Sequence, residues 1–513
     1  MSTKQAKQKV EFGDFQTPRG LAREVCSLLA HTGPPPASIL EPTCGRGAFL
    51  EAALEAFPGV TAVRGFDCNA SHVQASLAVV GNYPGARVEC QNFFKVDWGS
   101  RLSELPDPIL VVGNPPWVTN AAVGSLGGAN LPQKSNIDGL RGIDALTGRS
   151  NFDISEWMLR ETMEWLEDRV GTMAVLCKTA VARKVLVFCW SKRAQIQSAA
   201  IYRINALEHF GASVDACLLL VRLKPGSHSM ECDLHESLFS NRPSSRIGMR
   251  DGRLVADLEA YDRLSFLCCD GLVGWRSGVK HDCSRVFELA GEQGAFVNGL
   301  DEHVSIEADV VYPLLKSSDL VRGREPRRSL LIPHRSMDES PFDLERRAPA
   351  AWEYLLSHAD ILGRRRSSIY KRRPPFSIFG IGSYSLTPWK VAVSGLYKQL
   401  KFSKIGPYLG RPVVLDDTCY LFPCDTEEEC NTLHELVSSS AATEFWSSLV
   451  FWDAKRPITA RLLNVLDLAA LARKLDRWTP VARRLAERQM TRYSEQVHQK
   501  MLFQESSAEC RGT

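Results

Sequence analysis

The chain has 513 residues, with 62 Lys and Arg against 59 Asp and Glu for a net charge of +3, and 44% hydrophobic residues. That length exceeds what one hydrophobic core organises, so two or three domains are expected, and the near-neutral balance excludes a uniformly basic or acidic protein. The fifteen cysteines are scattered and include no Cys-x-x-Cys pair, which argues against a disulfide framework or a zinc site, and no export signal or membrane-length apolar run is present. A soluble intracellular protein is the expectation, with no membrane partner.

In chain order, Ser38 to Leu50 reads as a short strand, a small-residue turn and the start of a helix running to about Phe57. Gly45 and Gly47 allow close backbone approach to a ligand, and the helix start presents free N–H groups. Val63 to Asp67 predicts a second strand ending in an acid, about 20 residues past the turn, where a carboxylate can take both hydroxyls of a ribose. A dinucleotide-binding dehydrogenase shares this pairing, but its fingerprint needs a third glycine where Phe49 and Leu50 stand. Arg87 to Phe94 predicts a third strand. Its terminal Asn92 can bond an adenine edge and Phe93 can stack on the ring, although Asn92 taken alone reads as a turn residue.

Ile109 to Val112 is wholly apolar and rich in β-branched residues, the pattern of a buried parallel strand. It stops at Gly113-Asn114-Pro115-Pro116-Trp117, because neither proline has an N–H for a sheet ladder. The strand must end there, with an amide and backbone carbonyls at the edge where open α/β sheets bind ligands. An Asn-Pro pair alone is an ordinary turn signal. Four successive strand ends offering a glycine turn, an acid, an amide with a phenyl ring, and Asn-Pro-Pro-Trp are expected to line one crevice. Residues 121–150 follow, Gly-rich and without periodicity, as a functional lid or a flexible surface loop, with Lys134 and Arg149 placed to meet phosphate in the first case.

Taken in order, these segments resemble the adenine-N6 DNA methyltransferases of the gamma arrangement found in restriction-modification systems, the Asn-Pro-Pro-aromatic family. Phe15 to Ala22, with Thr17-Pro18, resembles the segment that packs over the methionine end of the cofactor. Glu41-Pro42-Thr43-Cys44-Gly45-Arg46-Gly47 resembles the cofactor turn. Asn151 to Ile154, Gly171 to Ala180 and His209 to Val221 resemble the family's next helix, next strand and closing hairpin, so the likeness spans roughly residues 12–225. It implies a Rossmann-like, S-adenosyl-L-methionine-dependent methyltransferase domain with a mostly parallel sheet. It also implies cofactor contacts from Thr17, Pro18, Glu41, Pro42, Cys44, Gly45, Gly47, Asp67, Asn92, Phe93 and Asn114, and catalysis by Asn114, Pro115, Pro116 and Trp117. Three departures stand out: Asn92 replaces the family's acid, Arg46 brings a bulky cation into the turn, and Trp117 stands where Tyr or Phe is usual.

The adenine amino group is a poor nucleophile because its lone pair is delocalised. Two acceptors, the Asn114 side-chain oxygen and the Pro115 carbonyl, would draw it toward tetrahedral geometry, while Trp117 stacks on a base rotated out of the duplex. No covalent intermediate is needed, so no cysteine has to act as a nucleophile.

From about 226 the βα alternation stops and basic residues gather. Arg364, Arg365, Arg366, Lys371, Arg372 and Arg373 form a run interleaved with Ser and Tyr that suits DNA phosphates, where a solvated face is the plainer reading. Trp275 to Asp282, Tyr312 to Asp319 and Pro388-Trp389-Lys390 loosely resemble target-recognition regions. His281 beside Cys283 reads as a structural histidine, and no metal is expected. The expected organisation is a catalytic domain at 1–225, an α+β target-recognition domain at 226–455 and a helical tail at 456–513. Double-stranded DNA is the expected partner, in the prokaryotic cytoplasm, with a separately encoded restriction endonuclease, since the short stretch before Thr17 leaves no space for a fused nuclease. An RNA or protein-glutamine methyltransferase, or an inactive DNA-binding specificity subunit, are the alternatives.

Overall fold

The computed structural model describes residues 16–81, 83–118, 153–292, 295–336, 339–340, 342–371, 373–374 and 376–489. The 121–150 segment with Lys134 and Arg149, together with Phe15, Asn151, Phe152 and Arg372, therefore lies outside the described residues. The chain divides into two units, Met1–Leu258 and Glu259–Thr513.

The first unit is an α/β fold in the Rossmann-like pattern. Helix α1 (Arg19–Thr32) precedes β1 (Ser38–Glu41), α2 (Ala48–Ala56), β2 (Ala62–Asp67), α3 (Ala70–Val80), β3 (Ala86–Cys90), α4 (Trp98–Ser103) and β4 (Ile109–Gly113). Then come α5 (Ile154–Trp165), β5 (Gly171–Lys178), α6 (Thr179–Ser191), β6 (Ile196–Ile204), α7 (Ala206–Phe210) and β7 (Ala216–Leu223). Strands β8 (Glu231–His235), β9 (Ser245–Arg250) and β10 (Arg253–Val255) complete the sheet, whose order is β10-β9-β8-β6-β7-β5-β4-β1-β2-β3.

Strands β1 and β4 are buried along their whole length, as their apolar runs require, and β1 pairs in parallel with β2 on one side and β4 on the other. The chain order reverses between β1 and β4, so the crevice beyond their carboxyl ends is the topological switch point where such sheets bind ligands. Strand β7 runs antiparallel between β5 and β6 and supplies the closing hairpin. The segment read as the start of that hairpin is first a helix: α7 ends at Phe210, Gly211 takes a left-handed φ of 66°, and β7 begins only at Ala216. The first unit also runs past 225, because β8 pairs with β6 (Ile201 with Leu234) and β9 and β10 add to its edge. Leu21, Val25, Phe49, Leu50, Val63 and Leu110 share one buried cluster beneath the crevice. Each such side chain contributes about 1.5–3 kcal/mol by leaving water.

The second unit is α+β, with two sheets. One takes β11 (Arg276–Ser277), β20 (Cys419–Cys424), β17 (Trp389–Ser394) and β18 (Phe402–Ile405) in that order. The other takes β14 (His303–Val304), β13 (Ala295–Val297), β12 (Glu288–Glu292), β16 (Arg328–Leu331), β15 (Val311–Leu315) and β19 (Val414–Leu415). Residues after 455 belong to this unit: the Asn464 side-chain oxygen accepts from the Gly274 and Trp275 N–H groups at 3.0 and 2.8 Å. Within the expected helical tail, one helix covers Ala460–Leu463 and Asp467 caps a new one at Leu468 by accepting from Ala469 and Ala470. Among the described residues no helix is long and apolar enough to cross a membrane.

Candidate cofactor and methyl-transfer site

At the end of β1 the chain turns through Pro42, Thr43 and Cys44 into α2. Gly45 and Gly47 adopt left-handed φ values of 52° and 82°, and Gly47 caps α2. A Cβ at Gly45 would stand 2.7 Å from the Gln16 side-chain oxygen, and one at Gly47 would stand 3.0 Å from the Ser76 hydroxyl. Both conformation and space therefore demand glycine here. Gln16, next to Thr17 and Pro18, accepts from the Arg46 N–H at 3.1 Å, which seats the N-terminal segment on the turn. Arg46 itself is exposed, so the bulky cation points out of the turn.

Asp67, at the end of β2, holds the turn from the other side: one carboxylate oxygen accepts from the Gly45 N–H at 2.9 Å and the other from Asn69 at 2.8 Å. Oδ2 keeps a further lone pair for a ribose hydroxyl, whereas Oδ1 also lies 3.4 Å from His72 Nδ1. Between turn and sheet lies Glu41, only 2% exposed, with one carboxylate oxygen, Oε2, buried and without a hydrogen-bond partner. Burial, and secondarily the charge of Asp67, push the Glu41 carboxyl well above the usual carboxylate range, against a hydrogen bond from the Leu50 N–H. A buried carboxylate with an unused oxygen beside a glycine turn fits the α-ammonium of S-adenosylmethionine, which would restore the ionised form. Burial also raises the Cys44 thiol, so this cysteine is a packed neutral group rather than a nucleophile.

The Asn-Pro-Pro-Trp segment leaves β4 beside Glu41: a Cβ at Gly113 would be 3.5 Å from Glu41 Cγ, and Asn114 is half-buried immediately beyond. Pro115 is buried and Pro116 half-buried. The Trp117 ring is 7% exposed, and its indole N–H donates to the Leu176 carbonyl at 3.3 Å. Phe210, at the end of α7, meets it edge-on at 5.1 Å and 69° while remaining half-buried. This second ring was missed from sequence. The signal lies in His209-Phe210-Gly211, where a helix-ending glycine fixes the preceding aromatic.

Just past the end of β3, at Asn92 and Phe93, the outcome differs from the expectation. The Asn92 side-chain oxygen accepts from the Phe94 N–H at 3.0 Å and caps a short turn. Phe93 is 7% exposed and packs against Trp98 (5.1 Å), Trp165 (5.4 Å) and Trp157 (6.0 Å). Most of the phenyl ring thus serves an aromatic cluster under the crevice.

In the second unit the basic run separates by role. Arg364, Arg366, Lys371 and Arg373 are exposed. Arg365 turns inward: its Nε donates to the Leu362 carbonyl at 3.0 Å, its NH1 to the His281 and Ser377 carbonyls at 3.2 and 2.8 Å, and its guanidinium lies 3.7 Å above the Tyr370 ring. It staples backbone together and is not displayed for phosphate. His281 likewise serves structure, with Nδ1 accepting from the Cys283 N–H at 3.2 Å and Nε2 3.4 Å from Glu288. Among the described residues no group of three or more His, Cys, Asp or Glu stands ready to hold a metal ion.

No family model matches the chain. Over 472 residues it is 41% identical to the type II methyltransferase M.NspV of Nostoc sp., covering 91% of this chain and 98% of that protein. The chain belongs to the type II methyltransferases. As a member of that family it takes its methyl group from S-adenosylmethionine. Among solved structures this methyltransferase is similar to the type IIL restriction-modification enzyme MmeI in complex with DNA, at 12% identity and TM-score 0.47 over 95% of this chain and 76% of that one. It is also similar to the type IIG restriction endonuclease BpuSI, at 13% identity and TM-score 0.38 over 88% of this chain and 58% of that one.

Proposed function

We propose that this methyltransferase modifies the N6 amino group of an adenine flipped out of double-stranded DNA, as the modification component of a restriction-modification or phage-defence system with a separately encoded endonuclease. The observation that carries the reading is the position of Asn114-Pro115-Pro116-Trp117 at the switch point, one residue past Gly113 and beside the buried Glu41. Bound S-adenosylmethionine supplies an electrophilic methyl group on a sulfonium. The Asn114 side-chain oxygen and the Pro115 carbonyl accept the two N6 hydrogens, which localises the nitrogen lone pair, and the two prolines keep that geometry rigid. Phe210 and the rim of Trp117 flank the base with apolar ring surface. Asp67 takes the ribose and Glu41 the ammonium, while the Asn92 amide remains a donor for an adenine edge.

In the second unit, Arg364, Arg366, Lys371 and Arg373 carry the phosphate contacts, joined by Lys134, Arg149 and Arg372 from outside the described residues. Transfer of labelled methyl to plasmid DNA, followed by nucleoside analysis, tests the reaction. N6-methyladenine is the expected product, whereas label confined to RNA or to protein glutamine would overturn the proposal. Asn114→Ala is expected to bind cofactor and DNA normally and to lose about 10²–10³ in kcat, the scale of one lost transition-state acceptor.

A further inference from the structure

Lys178, the last residue of β5, is outside the expected site residues, yet it ties the two ends of the chain that border residues 119–152. Its ammonium donates to the Trp117 carbonyl at 3.1 Å and to Asp153 Oδ2 at 2.6 Å. Asp153 is 8% exposed, and its other oxygen caps α5, accepting from the Ser155 N–H at 3.1 Å and the Ser155 hydroxyl at 2.6 Å. Beside this pair the Ile154 N–H donates to the Val118 carbonyl at 2.9 Å, and the Trp117 indole is bound to Leu176, also on β5. Three elements, the exit from β4, the start of α5 and the end of β5, therefore meet at one ammonium group.

A charged pair with one partner buried is a costly way to hold a junction, and an apolar contact of the same volume would often hold as well. What the pair adds is direction. The Trp117 carbonyl is joined to Asn114 and Pro115 through a stretch that two prolines make stiff, so fixing that oxygen fixes the acceptors. Displacements of about 1 Å in such groups can cost on the order of 10²-fold in rate. Asp153 also neutralises the ammonium, so the pocket gains an anchor without a net cation facing a sulfonium.

We propose that Lys178, paired with Asp153, is a positioning residue for methyl transfer: it sets the Asn-Pro-Pro-Trp segment in its productive geometry without touching substrate or cofactor. The inference rests on the reading that Asn114 and Pro115 receive the reacting amino group. Steady-state methylation of DNA by the full-length protein tests it, alongside calorimetric cofactor binding and thermal melting. Lys178→Met is expected to lower kcat about 30-fold while KM for DNA and Kd for S-adenosylmethionine stay within about twofold. Asp153→Asn, which keeps the cap and the volume, is expected to lower kcat about tenfold, and the double variant to fall no further than Lys178→Met because both remove one linkage. Lys178→Arg is expected to recover at least about a third of wild-type kcat, since a cationic donor is restored.

An unchanged kcat in Lys178→Met and Asp153→Asn would overturn the proposal. So would a joint loss of cofactor binding and melting temperature with no recovery by arginine, which marks a purely structural pair. If Lys178→Met does not fold, the Asp153→Asn comparison decides. Nucleoside analysis of the wild-type product separates this from the parent reading: a methylated acceptor other than adenine N6 overturns the latter, while the kcat comparison still reads on whichever acceptor is found.

Discussion

In the first unit the backbone builds the site: Gly45 and Gly47 shape the turn, Asp67 grips it through the Gly45 N–H, and Glu41 and Asn114 sit at adjoining strand ends. In the second unit the corresponding candidates are side chains on irregular chain, and neighbours in sequence do opposite things, with Arg365 bound to three carbonyls while Arg364 and Arg366 face solvent. A site made by strand ends is fixed by sheet topology, because neighbouring parallel strands end at the same edge. A charge run has no such constraint, and the direction of each arginine depends on which carbonyls happen to lie near it.

The contrast is open to attack. Its sharpest test is Gly47→Val, which forces a β-branched residue into φ 82° and against Ser76. Strain of about 1–3 kcal/mol plus the clash predicts at least about a 100-fold loss of S-adenosylmethionine affinity by calorimetry, and retained affinity would mean the backbone does not define the site.

Charge in the second unit comes next. Glu288, 4% exposed, is contacted by Lys316 at 2.6 Å, Arg328 at 3.1 Å and His281 at 3.4 Å. Burial alone would raise its carboxyl, but its hydrogen bonds to His281 and Lys316 win and hold it at about 2. A depressed carboxylate stabilises the fold above its unfolded pKa and loses that contribution as pH falls through the folded value. Glu288→Gln is therefore expected to cost about 3 kcal/mol near pH 7, with the gap from wild type closing between about pH 4.5 and pH 2 in denaturant titrations.

The basic run separates its two roles experimentally. Arg365→Ala is expected to cost about 1–3 kcal/mol of stability, through carbonyls left without donors, and to leave the salt dependence of DNA binding unchanged. Reversing Arg364 and Arg366 to Glu should do the opposite, lowering the slope of log affinity against log salt by about 0.9 for each lost phosphate contact. Equal slopes for wild type and reversed protein would return the exposed arginines to a solvated face.

The smallest effect concerns Glu41. Burial raises its carboxyl, so the proposed pairing of Glu41 with the cofactor's ammonium is expected to release a proton on binding at pH values between the usual carboxylate range and the raised one. Affinity for S-adenosylmethionine should then rise with pH through that window. Calorimetry in buffers of differing ionisation enthalpy should find release of up to about one proton in wild type and none in Glu41→Gln.

Sequence alone determined the strand ends of the first unit closely. Strand ends were legible because prolines, glycines and β-branched runs act locally: Gly113-Asn114-Pro115-Pro116 must end a strand whatever surrounds it, and Gly45 and Gly47 occupy conformations few other residues tolerate. The order of those ends along the chain fixed their convergence, because right-handed parallel crossovers leave few alternatives. Tertiary structure decided what depends on contacts distant in sequence. It carried the first unit past 225 by pairing β8 with β6, turned Phe93 into an aromatic cluster with Trp98 and Trp165, brought Phe210 to Trp117, and joined Lys178 to Trp117 and Asp153. A side chain's direction follows from the neighbours that remove it from water, and those neighbours are chosen by the packed fold rather than by the residues on either side.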